Sequence, residues 1–183
     1  MQRWLKSFLL ALVLMWCATF WMFAVFLMAF LFDFDLRDYY VSRSAMPAWT
    51  SIPYTLWYAF QEEAAYRAFP LIIALERGWS KKKVFVLVIV FSAIFALVHF
   101  RGLPALFLEG AFGIGLSVLF LICGGWQKDY LQAIFAATAC HALYNLRIYY
   151  PNTILLFSMI VGVVVLIGFA VVLCRKKPDL PDS

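Results

Sequence analysis

The stretch PYTLWYAFQEEAAYRAFPLIIAL, residues 53–75, decides the fold class of this chain. It is long and apolar enough for a transmembrane helix, which needs about 20 such residues. Its middle nevertheless carries three charged residues, Glu62, Glu63 and Arg67. Because a charge at the centre of a spanning helix costs about 2.5–3.5 kcal/mol on insertion scales, we expect these residues to serve a purpose.

The rest of the chain has the same apolar character. Of its 183 residues, 66% are hydrophobic and 14% are charged, whereas a soluble domain carries about 25% charged residues. We predict an all-α polytopic membrane helix bundle with about six transmembrane helices in one domain, residues 1–183. The predicted spans are approximately 4–32, 53–75, 84–100, 104–123, 130–148 and 153–174. Pro53 suits the start of the second span, and Pro70 should kink that span near its far end. Residues 33–51 form a predicted interfacial segment, 53–149 the catalytic core and 153–174 a C-terminal transmembrane helix.

Basic residues indicate the orientation, because Lys and Arg favour cytoplasmic loops. With the N-terminus cytoplasmic, ten cations lie inside: Arg3, Lys6, Arg77, Lys81, Lys82, Lys83, Lys128, Arg175, Lys176 and Lys177. Four lie outside: Arg37, Arg43, Arg101 and Arg147. We therefore predict that both termini are cytoplasmic and that the net charge of +5 faces a lipid bilayer rather than nucleic acid. A bacterial inner membrane is the expected location.

The polar residues within the predicted spans have informative spacing. Glu63 and Arg67 are four residues apart, so they share a helix face and should form an ion pair. Glu62 is rotated about 100° from Glu63 and has no such partner on its own helix, which makes it a candidate general base. Residues His141 and Asn145 are also four apart and share a face.

Three motifs in these spans resemble those of one protease family. Glu62-Glu63-Ala64-Ala65-Tyr66-Arg67 resembles E-E-x-x-x-R, Phe95 to His99 resembles F-x-x-x-H, and His141 to Asn145 resembles H-x-x-x-N. These are the motifs, in their order, of the CPBP family, which comprises CAAX proteases and bacteriocin-processing enzymes. The resemblance covers about residues 53–149.

The resemblance implies glutamate-dependent peptide hydrolysis within the membrane, with no cofactor and no metal. Glu62 would be the general base that activates water with help from His99. His141 and Asn145 would stabilise the oxyanion, and Glu63 and Arg67 would support the geometry. The expected partner is a membrane-anchored protein or peptide substrate.

One residue departs from the family pattern, and several functions stay open. Glu109 is an extra acid, which could line the substrate path or pair with a nearby base such as Arg101. Because the charge bias places His99 towards the outer side, we favour the myxosortase-like members that trim C-terminal sorting signals. The alternatives are CAAX prenyl-protein or bacteriocin-leader processing by the same site, a zinc protease with Glu62, His99 and His141 as ligands, and a non-enzymatic scaffold or transporter.

Overall fold

The computed structural model describes residues 2–32, 48–99 and 103–149. This part of the chain consists of helices and short connections, without strands, as the sequence predicts. Six α-helices follow one another: α1 Gln2–Leu31, α2 Ala48–Glu63, α3 Phe69–Glu76, α4 Lys81–Val98, α5 Leu103–Cys123 and α6 Tyr130–Tyr149. A π-helical turn, Ala64–Ala68, joins α2 to α3, and a 3₁₀ turn, Gly125–Gln127, precedes α6.

Among the described residues, two helical stretches are long and apolar enough to cross a membrane on length and composition alone. They are Arg3–Leu31, which includes most of α1, and Leu106–Gln127, which includes most of α5. The segment 153–174 and most of the interfacial segment 33–51 lie outside the described residues. Six spans and cytoplasmic termini therefore stay predictions.

The core between α1, α5 and α6 is apolar. Leu12 and Met15 of α1, Leu116 of α5 and Cys140 of α6 are almost fully buried against one another. A second cluster joins the π-helical turn and α3 to α4, α5 and α6, and it includes Leu71, Val88 and Phe120. These two clusters fix the helices that carry the polar residues.

Residues 53–75 lie in one continuous helical stretch with a widened, π-helical turn in its middle. The helix begins at Ala48, so Pro53 lies inside it. The expectation that Pro53 starts the helix was wrong. Pro70, where we expect a kink, directly follows a π-helical turn, and the kink itself stays a prediction. Pro70 has no N–H to donate to the carbonyl of Tyr66, and the Phe69 N–H bonds to the Ala64 carbonyl, five residues back.

One end of the bundle collects basic residues. Gln132 Nε2, near the start of α6, donates to the Arg3 carbonyl of α1 at 3.2 Å, and Lys128 Nζ donates to Glu76 of α3 at 3.2 Å. Helix α4 begins at this end with Lys81 and ends at Val98, followed by His99. Because α4 is about 27 Å long, His99 lies at the opposite end from these cations.

Candidate active site

Two buried charged residues, Glu63 and Arg67, lie beneath the site. Arg67 Nη1 donates to Glu63 Oε1 at 3.0 Å, and both side chains are only 1% exposed. The predicted ion pair is thus confirmed. Glu63 is the last residue of α2 and Arg67 lies in the π-helical turn, so the widened turn carries the cation.

The same carboxylate oxygen also contacts another helix. His141 Nδ1 of α6 lies 2.7 Å from Glu63 Oε1. A carboxylate accepts hydrogen bonds, so this ring nitrogen carries the hydrogen and donates. Glu63 Oε1 therefore joins the Arg67 guanidinium to the His141 imidazole, and sequence spacing did not reveal this contact.

Glu62 contacts two imidazoles on other helices, which its position on its own helix did not reveal. Its Oε1 lies 3.2 Å from His99 Nε2, and its Oε2 lies 3.4 Å from His141 Nε2. Neither partner is on the Glu62 helix, so spacing along one helix could not show them. Both imidazoles are brought to this one carboxylate by the packing of α4 and α6.

The orientation of His99 is fixed by its own helix. The Phe95 carbonyl lies 2.9 Å from His99 Nδ1 and also accepts the His99 backbone N–H at 3.1 Å. A carbonyl only accepts, so Nδ1 carries a hydrogen and the lone pair of a neutral His99 would point from Nε2 to Glu62. With Nδ1 as a donor to Phe95, His99 Nε2 can also donate to Glu62 Oε1 when the ring is protonated.

Phe95 contacts two residues of the polar cluster, which its motif alone did not predict. It is almost completely buried. The Arg67 guanidinium lies over its ring, 4.0 Å from the centroid, in a cation–π arrangement that Arg favours. Phe95 thus supports Arg67 with its ring and His99 with its carbonyl. The four-residue interval from Phe95 to His99 was the available signal.

The two neighbouring glutamates differ in how far they are exposed. Glu62 is 13% and His99 18% exposed, whereas Glu63 and Arg67 are sealed in the interior. Glu62 and His99 are therefore partly accessible at the surface of the bundle, and the ion pair beneath them is not. The site has an accessible face and a buried support.

The other two candidate residues flank this cluster. Asn145 lies one turn after His141 on α6 and is half-buried. Glu109 of α5 is also half-buried, and it is close enough to His99 to act on it electrostatically. Arg101, the possible partner of Glu109, lies outside the described residues.

A zinc site with Glu62, His99 and His141 as ligands is one of the alternatives that the sequence left open. Across residues 2–32, 48–99 and 103–149, no group of three or more His, Cys, Asp or Glu side chains is arranged to hold a metal ion.

Fold and site together define an all-helical protein whose apolar helices enclose a cluster of carboxylates, imidazoles and one guanidinium. The family of type II CAAX prenyl endopeptidases, Rce1-like, matches residues 44–147, a range that includes all these residues. The chain belongs to this family, and the resemblance based on three motifs is confirmed at that level. The family is one of membrane proteases, which supports a CAAX-type intramembrane protease. No curated protein and no solved structure matches the chain.

Proposed function

We propose that this chain is an intramembrane peptidase of the glutamic type with Glu62 as its general base. The observation that carries the proposal is the different environment of two adjacent carboxylates. Glu63 is buried in an ion pair with Arg67, while Glu62 is accessible and faces two imidazoles. A general base must be reachable by the water that it deprotonates.

The proposed reaction begins with a water molecule beside Glu62 and His99. Glu62 takes a proton from the water as the water oxygen attacks the carbonyl carbon of the scissile peptide. The carbonyl π electrons move to oxygen and give a tetrahedral oxyanion. When that intermediate collapses, the C–N bond breaks and the proton passes from Glu62 to the leaving nitrogen.

His141 and Asn145 are the proposed donors to the oxyanion. Because Glu63 accepts from His141 Nδ1, the other ring nitrogen, Nε2, is directed to the side of Glu62. A protonated Nε2 there can donate to developing negative charge, and the Asn145 amide can donate from one turn further along α6. Glu63 and Arg67 then position His141 and do not react themselves.

Substitution of Glu62 tests the proposal. Purified protein in lipid nanodiscs is incubated with C-terminally anchored substrates, and new C-termini are identified by mass spectrometry. Glu62→Gln keeps the size of the side chain but removes the base, so we expect kcat to fall by about 10²–10⁴-fold. Glu76→Gln changes an exposed carboxylate at the other end and serves as the control. Cleavage by the Glu62→Gln variant at the wild-type rate would refute the glutamate mechanism.

For the substrate we propose a protein with a C-terminal sorting signal, an apolar helix followed by a basic cytoplasmic end. The support is that His99 lies at the opposite end of α4 from the cluster of Lys and Arg residues, which favours the cytoplasm. Glu109, beside His99, would then line the path of the substrate. The site in this view is open towards the outer side of a bacterial inner membrane.

Two measurements test the substrate proposal. Single cysteines placed beside His99 should react with membrane-impermeant reagents from outside intact cells, and cysteines beside Lys81 should not. The nanodisc assay then compares a sorting-signal substrate with a prenylated C-terminal peptide and a bacteriocin leader. Labelling of the His99 end from the cytoplasm only, or preferred cleavage of either competing substrate, would overturn the sorting role and leave the peptidase proposal standing.

A further inference from the structure

Gly113 of α5 lies against the buried ion pair. A methyl group at this position would be 3.1 Å from Arg67 Nη2, 3.2 Å from Ser92 Cβ and 3.3 Å from Ser92 Cα. Ordinary van der Waals contacts of a carbon atom are about 3.5–4.0 Å. A side chain larger than hydrogen would therefore push Arg67 and helix α4 apart from α5.

The Arg67 guanidinium has little freedom to move. The Phe95 ring lies 4.0 Å away on one face, and the side chain is 1% exposed. Arg67 Nη2 and Ser92 Oγ are buried, and no hydrogen bond to another described residue holds either atom. The position of the guanidinium at this nitrogen therefore depends on packing against Phe95 and Gly113.

We infer that Gly113 is a positioning residue for the reaction, acting through Arg67, Glu63 and His141 in turn. A displaced Arg67 would draw Glu63 Oε1 away from His141 Nδ1, which lies only 2.7 Å from it. His141 Nε2 would then leave its place beside Glu62. The inference rests on the proposed peptidase function, because it names a residue that sets the geometry of that site.

Two other glycines of α5 provide matched comparisons. A methyl group at Gly110 would lie 3.6 Å from Ala96 Cβ, an ordinary contact. One at Gly115 would lie 3.0 Å from Leu14 Cδ1, which is the end of a flexible side chain. Neither position touches the ion pair, so all three substitutions add the same methyl group to one helix and only one of them affects Arg67.

The experiment compares Gly113→Ala with Gly110→Ala in the nanodisc assay. We expect Gly113→Ala to lower kcat by about tenfold, because its neighbours must move by only a few tenths of an ångström, less than the misplacement of about 1 Å that can cost about 100-fold. KM should change little, because the contact is remote from the accessible face. Gly110→Ala should keep the kcat and KM of the parent, and both proteins should elute as single species from a size-exclusion column.

A double-substitution cycle separates positioning from a general packing defect. Lysine lacks the second guanidinium nitrogen, so in the Arg67→Lys background Gly113→Ala should cost less than about threefold in kcat. Ser92→Gly removes the opposing Cβ but leaves the contact with Arg67 Nη2, so it should restore little of the activity of Gly113→Ala. If Gly113→Ala does not fold, its double variant with Ser92→Gly is compared with Ser92→Gly alone. A lower kcat in the double variant supports the assignment, and an equal kcat refutes it.

The outcomes distinguish this inference from the function on which it rests. An inactive parent protein refutes the proposed function. An active parent with an unchanged kcat in Gly113→Ala refutes only the positioning role. An equal loss in the Arg67 and Arg67→Lys backgrounds also refutes it, because the effect would then not pass through the guanidinium.

Discussion

Two ion pairs, one buried in the interior and one exposed at the basic end of the bundle, use the same chemistry in different surroundings. In the interior, Glu63 accepts from Arg67 at 3.0 Å and from His141 at 2.7 Å. At the basic end, Glu76 accepts from Lys128 at 3.2 Å and from the Tyr130 hydroxyl at 2.5 Å. The interior pair is 1% exposed, whereas Lys128 and Glu76 are 57% and 51% exposed.

Burial decides what each pair contributes. An exposed pair competes with water and is worth little. A buried pair must recover the cost of removing two charges from water, and the loss of one partner leaves the other without compensation. The interior pair therefore makes the positions of its members strongly interdependent, which suits a support for His141. The exposed pair connects the end of α3 to the start of α6 and has little influence on the site.

Removal of the interior cation should have the largest effect. Arg67→Ala leaves Glu63 as a buried carboxylate without its cation, so we expect a loss of about 3–5 kcal/mol of stability. Thermal unfolding in nanodiscs measures this loss. Lys128→Ala removes the cation of the exposed pair and should leave the midpoint almost unchanged. Equal shifts in the two variants would contradict the contrast between the pairs.

Loss of the proposed oxyanion donor should affect rate more than stability. We expect Asn145→Ala to lower kcat by about 10²–10³-fold, as for other amide donors to an oxyanion. Gln132 provides a control on the same helix, because its amide donates to Ser7 Oγ at 2.5 Å near the basic end. Gln132→Ala should lower the unfolding temperature and leave kcat unchanged. The reverse pattern would remove Asn145 from the proposed mechanism.

The exposed pair should contribute a small amount to stability, and this contribution should depend on pH. Hydrogen bonds from Tyr130 and then Lys128 hold the pKa of Glu76 below its ordinary value of 4.5. The carboxylate is thus more acidic in the folded protein, and its contribution is fully present above pH 4.5 and is lost as pH falls through the lower folded value. Glu76→Gln should remove this part of the acid dependence in unfolding measured from pH 6 to pH 3. An unchanged profile would mean that the contacts of Glu76 contribute nothing.

Chelation should have the smallest effect of all. The proposed reaction uses proton transfer by Glu62, which contacts His99 and His141 through separate oxygens. We expect the full rate after prolonged treatment with 1,10-phenanthroline and removal of the chelator. A loss that added zinc restores would favour the zinc alternative over the glutamate mechanism.

Helices and motifs were predictable because they depend on local sequence. Long apolar runs predicted the helical segments, and their ends in α5 and α6 agree with the structure to within one residue. The Glu63–Arg67 ion pair was also predictable, since residues four apart on one helix face the same side. The π-helical turn before Pro70 was not predicted, because hydropathy does not distinguish such a turn from an ordinary α-helical one.

Sequence by itself thus determined an apolar all-helical chain, its protease family and the residues that form the polar cluster. Tertiary structure decided which of those residues meet. It placed His99 and His141 on one carboxylate, put Phe95 beneath Arg67 and brought Gly113 against the guanidinium. The physical reason is that a helix fixes only contacts three or four residues apart, whereas contacts between helices depend on how whole side-chain surfaces pack.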